Sequence, residues 1–254
     1  MEGILKRFAS GEISIEEACK ELKLENIKRL GAFAKIDLNR TYRTGIPEII
    51  FAEGKTSADV AEIALAHATT KGFALISRAR AEDVEAIKKC NVEEEDLVVD
   101  FNEVAKTIIV KKTDYEFPVY GKIGLITAGT ADIPVAEEAR VVAEVCGCEV
   151  VKIYDVGIAG IHRLMKPLED CVTAGVAVII VVAGMEGALP SFVASLVDMP
   201  VIGVPTSVGY GIGGKGIAAL LSMLQSCSPG LAVVNVDNGV GAATFAAKCV
   251  RQSK

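Results

Sequence analysis

From residue 119 onward, short aliphatic runs alternate with amphipathic stretches five times. The runs predict buried strands near 121–127, 149–156, 176–183, 200–204 and 231–236. The stretches between and after them predict helices near 134–146, 160–173, 190–197, 215–225 and 240–250. Strands that are apolar on both faces and alternate with helices imply a parallel sheet covered on both sides. The expected fold is therefore a three-layer, doubly wound α/β sandwich of the flavodoxin or Rossmann type. In such folds ligands bind where loops leave the C-terminal ends of the strands. That rule selects residues 128–133, 155–160, 184–190 and 205–216.

The first 118 residues follow a different rhythm. Ser14-Ile-Glu-Glu17 is a capping box that opens a helix running through Leu22. A polar loop follows, then a strand over 47–51, a helix over 57–70 and a strand over 73–77. A helix over 82–89 and strands near 97–100 and 107–110 complete a smaller α/β unit. Glu93-Glu94-Glu95-Asp96 reads as a solvated turn. The expected organisation is an N-terminal α/β domain, 1–118, and a larger doubly wound domain, 119–254.

Charge sharpens this division. Residues 1–118 hold 18 Lys/Arg and 22 Asp/Glu, and residues 119–254 hold only 9 and 11. A C-terminal half so poor in charge is expected to hide surface at the centre of a homo-oligomer. A net charge of −6 without a basic tract argues against nucleic acid as a partner. The longest apolar run, 174–185, is too short to span a bilayer, and the N-terminus lacks the apolar core of a signal peptide. Seven scattered cysteines suit a cytoplasmic protein with reduced thiols. Cys146-Gly-Cys148 lacks the second ligand pair of a zinc site.

The selected loops carry the candidate chemistry. Gly209-Tyr-Gly-Ile-Gly-Gly-Lys-Gly216 joins a strand to a helix, and its amides with Lys215 suit an anion. Gly54-Lys55-Thr56 lacks the first glycine of a phosphate loop and reads as a helix start with Ser57 as N-cap. Glu186 is a lone carboxylate at the end of an apolar strand. It suits either a cap for the next helix or a general acid/base with a raised pKa in an apolar cleft. Asp132 suits an N-cap or a site carboxylate. Asn235, Asp237 and Asn238 suit a turn, a ribose or a hydrated Mg²⁺, with Asp237 the candidate metal ligand. Cys227 lies between a helix end and a strand, where the helix dipole favours the neutral thiol.

Together these loops resemble a known family. The C-terminal half is similar to the aminoimidazole ribonucleotide carboxylase/mutase (PurE) fold. Nearly the whole chain resembles the LarB family, the carboxylase/hydrolase of nickel-pincer cofactor biosynthesis in lactate racemase maturation. The matching segments are DLNRTYRTGIPEIIFAEGKT, TAGTADIPVAEEA, YDVGIAGIHRL, AGMEGALPSFVA, PTSVGYGIGGKGIAALLSMLQSCSPG and NVDNGVGAA. The purine enzyme differs at three points. It has Ser-Asp where this chain has Ala131-Asp132, and a histidine where this chain reads Asp155-Val-Gly157. It has another histidine before Leu-Pro, where this chain has Ala188.

The resemblance implies that nicotinic acid adenine dinucleotide is carboxylated with CO₂ or bicarbonate and hydrolysed to AMP and pyridinium-3,5-biscarboxylic acid mononucleotide. Cys227 matches the family's nucleophile, Glu186 its acidic loop residue, and Asp132 joins them as a catalytic candidate. Substrate contacts are expected from Gly129 and Thr130, from Asp155 and Gly157, and from Gly184, Met185 and Gly187. Ser207, Gly209, Gly211, Gly213, Gly214 and Lys215 are expected to contribute too, with Asn235, Asp237 and Asn238. Mg²⁺ is the expected ion, no organic cofactor is expected, and related carboxylases suggest an octamer. Cys227 precedes a strand, so it reaches the other loops only if the helix end folds back or a neighbouring subunit's site uses it. A purine-pathway mutase and a non-catalytic nucleotide-binding subunit are the alternatives.

Overall fold

The computed structural model describes residues 2–24, 27–30, 34–37, 40–91 and 96–253, so Glu93, Glu94 and Glu95 of the acidic run lie outside the described residues. The chain opens with helices α1 (Glu2–Ala9) and α2 (Ile15–Leu24). The capping box at α2 forms in both directions: the Glu17 amide donates to Ser14 Oγ, and the Ser14 amide donates to Glu17 Oε2. The expected polar loop instead holds an antiparallel pair, β1 (Ile27–Leu30) and β2 (Ala34–Asp37), and a short helix, α3 (Arg40–Thr44).

Next come β3 (Ile49–Phe51), α4 (Ser57–Lys71), β4 (Phe73–Ser77), α5 (Ala81–Cys90), β5 (Leu97–Asn102) and β6 (Thr107–Lys112). They form a four-stranded sheet in the order β3-β4-β6-β5, with only the β3–β4 pair parallel. Thr56, not Ser57, caps α4 by accepting from the Asp59 amide, and Lys55 donates to the Phe51 carbonyl. The apparent phosphate loop is thus a helix start, with its cap one residue earlier than expected.

The second sheet contains β7 (Gly121–Thr127), β8 (Cys148–Ile153), β9 (Ile179–Ala183), β10 (Val201–Pro205) and β11 (Leu231–Val233). All its strands are parallel, in the order β11-β10-β9-β7-β8. Its helices are α6 (Ile133–Val145), α7 (His162–Thr173), α8 (Leu189–Ala194), α9 (Ile217–Leu224) and α10 (Gly239–Gln252). The doubly wound expectation holds. β8, β9 and β11 are shorter than expected. β11 ends early because Asp237, in a left-handed conformation (φ 55°), turns the chain into α10.

Side-chain alternation shows how the sheets stack. On β4 and β6, Ala74, Ile76, Ile108 and Val110 face a core built with α4 and α5. Phe73, Leu75 and Ile109 face the opposite way, into the core built on α6 and α10. The other side of the second sheet packs on α7, α8 and α9. The molecule therefore has five layers, and α6 and α10 lie between two sheets. Among the described residues, no helix is long and apolar enough to cross a membrane.

One buried carboxylate joins the layers. Glu138 of α6 is 3% exposed; its Oε1 accepts from Ser77 Oγ (2.7 Å) and lies 3.1 Å from Arg78 Nε. Burial pushes its pKa up, while Ser77, Arg78 and the amides of Val240 and Gly239 pull it back. At the far end of the same layer, Arg251 of α10 donates to the carbonyls of Gly45 and Cys146 and covers the Tyr120 ring.

Removing the Glu138 side chain leaves buried Ser77 and two amides without their acceptor. We expect Glu138→Ala to lower stability by roughly 2–4 kcal/mol, read from urea unfolding. The raised pKa means the folded state holds the Glu138 proton more tightly than the unfolded chain. Stability must therefore fall as pH rises from the ordinary carboxylate value through the raised one. Glu138→Gln should flatten that fall in a pH series of the same measurement.

Candidate functional site

Strand order determines where a ligand site can open. β7 sits between β8 and β9, so the loops leaving β7 and β9 diverge at the topological switch point. Asp132, on the 3₁₀ turn that follows β7, lies at this switch point, where the fold rule puts the crevice. It is 3% exposed. Its Oδ2 accepts from the Gly129 amide (2.9 Å) and its Oδ1 from Thr206 Oγ1 (2.6 Å). Burial pushes its pKa up; the bonds from Thr206, Gly129 and Gly184 oppose that rise, and the Asp237 charge adds to it. The side chain makes no capping bond to α6, so the N-cap reading is corrected. Asp132 instead ties together the ends of β7, β9 and β10.

Close backbone approach explains a glycine in these loops. A Cβ on Gly184 would lie 2.4 Å from the Val208 carbonyl oxygen. Met185 beside it is left-handed (φ 51°), and its amide donates to that same carbonyl. The β9 and β10 loops are thereby pinned together, with Gly187 turning the chain into α8. Thr130 stands exposed on the turn after β7. On the next loop Asp155 is left-handed (φ 59°) and pairs with Arg163 at 2.8 Å, with Gly157 packed on the Ala128 carbonyl.

The segment 207–216 extends from the same edge of the sheet. Its base is held by Asp237, whose Oδ1 accepts from the Ser207 amide (2.8 Å) and whose own amide donates to the Pro205 carbonyl. Gly209, Gly211, Gly213 and Gly214 carry the loop outward, with Tyr210 and Ile212 exposed at its tip. Lys215 is exposed and left-handed, and α9 begins at Ile217 rather than at Lys215. Of the polar cluster after β11, Asn238 caps α10 through the Gly241 amide, and Asn235 accepts from its neighbour Val236. Asp237 alone reaches across, to Ser207 on one side and, through its carbonyl, to Arg78 on the other.

Two predicted residues stand differently from expectation. Glu186 shares the β9 loop with Met185 but is exposed, so no apolar cleft surrounds it, and α8 has no side-chain cap. Cys227 is exposed between the end of α9 and the start of β11. Because β11 runs parallel to β10, this is the edge opposite the crevice. The helix end does not fold back. By contrast Cys146 and Cys148 are buried, with thiol pKa values pushed up to about 12 and about 11, as suits packing residues. Among the described residues, no group of three or more His, Cys, Asp or Glu side chains is placed to hold a metal ion.

Sequence reading passed over Thr206, Arg78 and Glu138. Glu138 carried a signal: with Val141, Val142 and Val145 it occupies one helical stripe whose other members are buried. Arg78 directly follows β4 of the first sheet, and Thr206 directly follows β10, at the edge that carries the selected loops.

Residues 27–112 match the LarB/PurE-like N-terminal domain and residues 122–254 the AIR carboxylase domain. An uncharacterized protein of Methanocaldococcus jannaschii is 48% identical over 97% of this chain and 95% of its own length. An N5-carboxyaminoimidazole ribonucleotide mutase of the same organism is 35% identical over 49% of this chain and 75% of its own. A probable enzyme of that name from Methanothermobacter thermautotrophicus is 32% identical over 51% of this chain, which spans only 38% of it. The chain belongs to the AIR carboxylase family, in the form that carries a LarB/PurE-like N-terminal domain ahead of the carboxylase domain.

Proposed function

We propose that this carboxylase-type protein acts on nicotinic acid adenine dinucleotide, adding a second ring carboxylate and hydrolysing the phosphoanhydride to release AMP. The observation that carries this reading is the pairing of a LarB/PurE-like N-terminal domain with the carboxylase domain, 27–112 and 122–254. The residue set supports it. The chain has two histidines, His67 buried in α4 and His162 exposed at the start of α7. Neither stands on the loops after β7, β9 or β10, which leaves those loops without an imidazole for purine-type proton transfer. A cysteine and carboxylates remain.

In the proposed reaction the Cys227 thiolate adds to C4 of the pyridinium ring, giving a dihydropyridine whose C5 is an enamine-type carbon. C5 attacks CO₂ to form the new C–C bond. Glu186 accepts the C5 proton, and departure of the thiolate restores the aromatic ring. The ring's positive charge favours the thiolate beside it. Water then cleaves the phosphoanhydride. The loop 207–216 and Lys215 suit the phosphates. Mg²⁺ fits as an ion carried by those phosphates, with Asp237 the nearest candidate carboxylate, since Mg²⁺ commonly uses one or two carboxylates plus substrate oxygens.

Cys227 and Glu186 stand on opposite sheet edges, so we infer that the working unit is a homo-oligomer in which one subunit's Cys227 completes a neighbour's crevice. The surface supports this: Ile217, Leu221 and Leu224 form an exposed apolar stripe along α9, with Leu221 60% exposed. An octamer matches the resemblance, and a cytoplasmic location suits seven free thiols.

Mass spectrometry after incubation with the dinucleotide, bicarbonate and Mg²⁺ should show the biscarboxylated mononucleotide and AMP. Turnover of N5-carboxyaminoimidazole ribonucleotide instead would establish the mutase reading that two relatives' names favour. Cys227→Ser should abolish carboxylation while dinucleotide binding survives. Glu186→Gln should accumulate a dihydropyridine-like absorbance that Cys227→Ser lacks. Mixing these two inactive variants should restore part of the activity, because some mixed sites then hold both native groups. Leu221→Glu should dissociate the oligomer in light scattering and remove activity with it. A mixture that stays inactive while its subunits exchange would exclude the shared site.

A further inference from the structure

A cleft of about 850 Å³ runs between the N-terminal unit and the flank formed by β11 and α10. Of its lining, the reaction scheme above uses Asp237 alone. One wall comes from α3 and β3, the other from α10 and the residues after β11. Its chemistry is mixed in a specific way. Phe51 and Phe245 line it with half-exposed rings, 49% and 47% exposed, over an aliphatic floor that includes Ile46 and Ile49. Arg40, Arg78 and Lys248 bring three cations to the same walls. Arg78 is tied to Glu138 and to the Asp237 carbonyl. Arg40 and Lys248 make no side-chain hydrogen bond or ion pair among the described residues. Two unneutralised cations in one cleft favour an anion, and the exposed rings favour a flat aromatic group.

We propose that this cleft binds a nucleoside monophosphate and, resting on the dinucleotide reading above, that it holds the adenylate half of the substrate. Asp237 connects the two regions. It lines the cleft, and its carboxylate also anchors Ser207 at the base of the glycine loop. A ligand whose nicotinate-side phosphate lies on residues 207–216 enters the cleft by passing Asp237. Its adenosine-side phosphate then meets Arg40 and Lys248, its sugar Asn235 and Asn238, and its base the phenylalanine rings. The N-terminal unit thereby supplies half of a binding site rather than a cover.

The test is calorimetric titration with AMP, inorganic phosphate and nicotinic acid mononucleotide, using the full chain. AMP should bind the parent protein. Arg40→Ala and Lys248→Ala should each weaken it about tenfold, the loss of one charge-assisted hydrogen bond. The Phe51→Ala/Phe245→Ala variant should weaken AMP but not inorganic phosphate, and none of the variants should change nicotinic acid mononucleotide binding. All four side chains are at least partly exposed, and thermal melting checks that each variant folds. AMP that does not bind, or that binds these variants as tightly as the parent, overturns the proposal. Inorganic phosphate binding as tightly as AMP, with the phenylalanine variant silent, overturns it in favour of a simple anion site. If AMP binds as described but the dinucleotide is never carboxylated, the reaction reading fails and the subsite stands. If the dinucleotide is carboxylated with KM unchanged in all the variants, the subsite fails alone.

Discussion

Burial of Glu138 between two sheets is the constraint on which the rest of the structure depends. A carboxylate at 3% exposure must be surrounded by donors, and those it uses come from two parts of the chain. Ser77 ends β4 of the first sheet and Arg78 follows it, and the amides of Gly239 and Val240 open α10 of the second unit. Satisfying this single group therefore fixes α6, α10 and the edge of the first sheet relative to one another. Arg78 carries the constraint onward to the Asp237 carbonyl, and Asp237 carries it to Ser207. The glycine loop is thus referenced to the N-terminal unit through two consecutive contacts, Arg78 to Asp237 and Asp237 to Ser207.

Asp132 plays a corresponding part at the switch point. Both carboxylates are buried, both have raised pKa values, and both are held by hydroxyl and amide donors, with Arg78 a cation paired to Glu138 alone. Such groups are costly in an apolar setting, where well-packed apolar replacements are often as stable or more so. What they contribute is registry. Apolar layers can slide past each other at small cost, whereas a buried carboxylate has one arrangement that meets its donors.

Much of this was legible from hydrophobic patterning. All five parallel strands and their helices were readable because each is a short apolar run bounded by glycine, proline or a polar turn. The same reading put Asp132 and the loops after β9 and β10 at one sheet edge. It also anticipated that Cys227, preceding a strand, would stand apart from them. The β1–β2 pair was not legible, because Ile27–Leu30 and Ala34–Asp37 mix charged and apolar residues as loops also do. Thr56 displaced Ser57 as the α4 cap because either hydroxyl is chemically suitable and only backbone geometry selects between them. Glu186 looked enclosed because its neighbours in sequence are apolar, yet the turn carries it outward. The cleft beside β11 was invisible, since Phe51 and Phe245 meet only through the packing of two sheets.

The central position of α6 and α10 also bears on how the chain assembles during synthesis. The first sheet is complete once β6 has been made, but its inner face, with Phe73, Leu75 and Ile109, rests on a core that includes residues of α6 and α10. Gly45 meets Arg251, 206 positions later in the chain. A ribosome delivering the sequence from its N-terminus thus releases a sheet with one bare apolar face, which stays bare until the second unit emerges. The N-terminal unit is made before the second unit and is finished only with it.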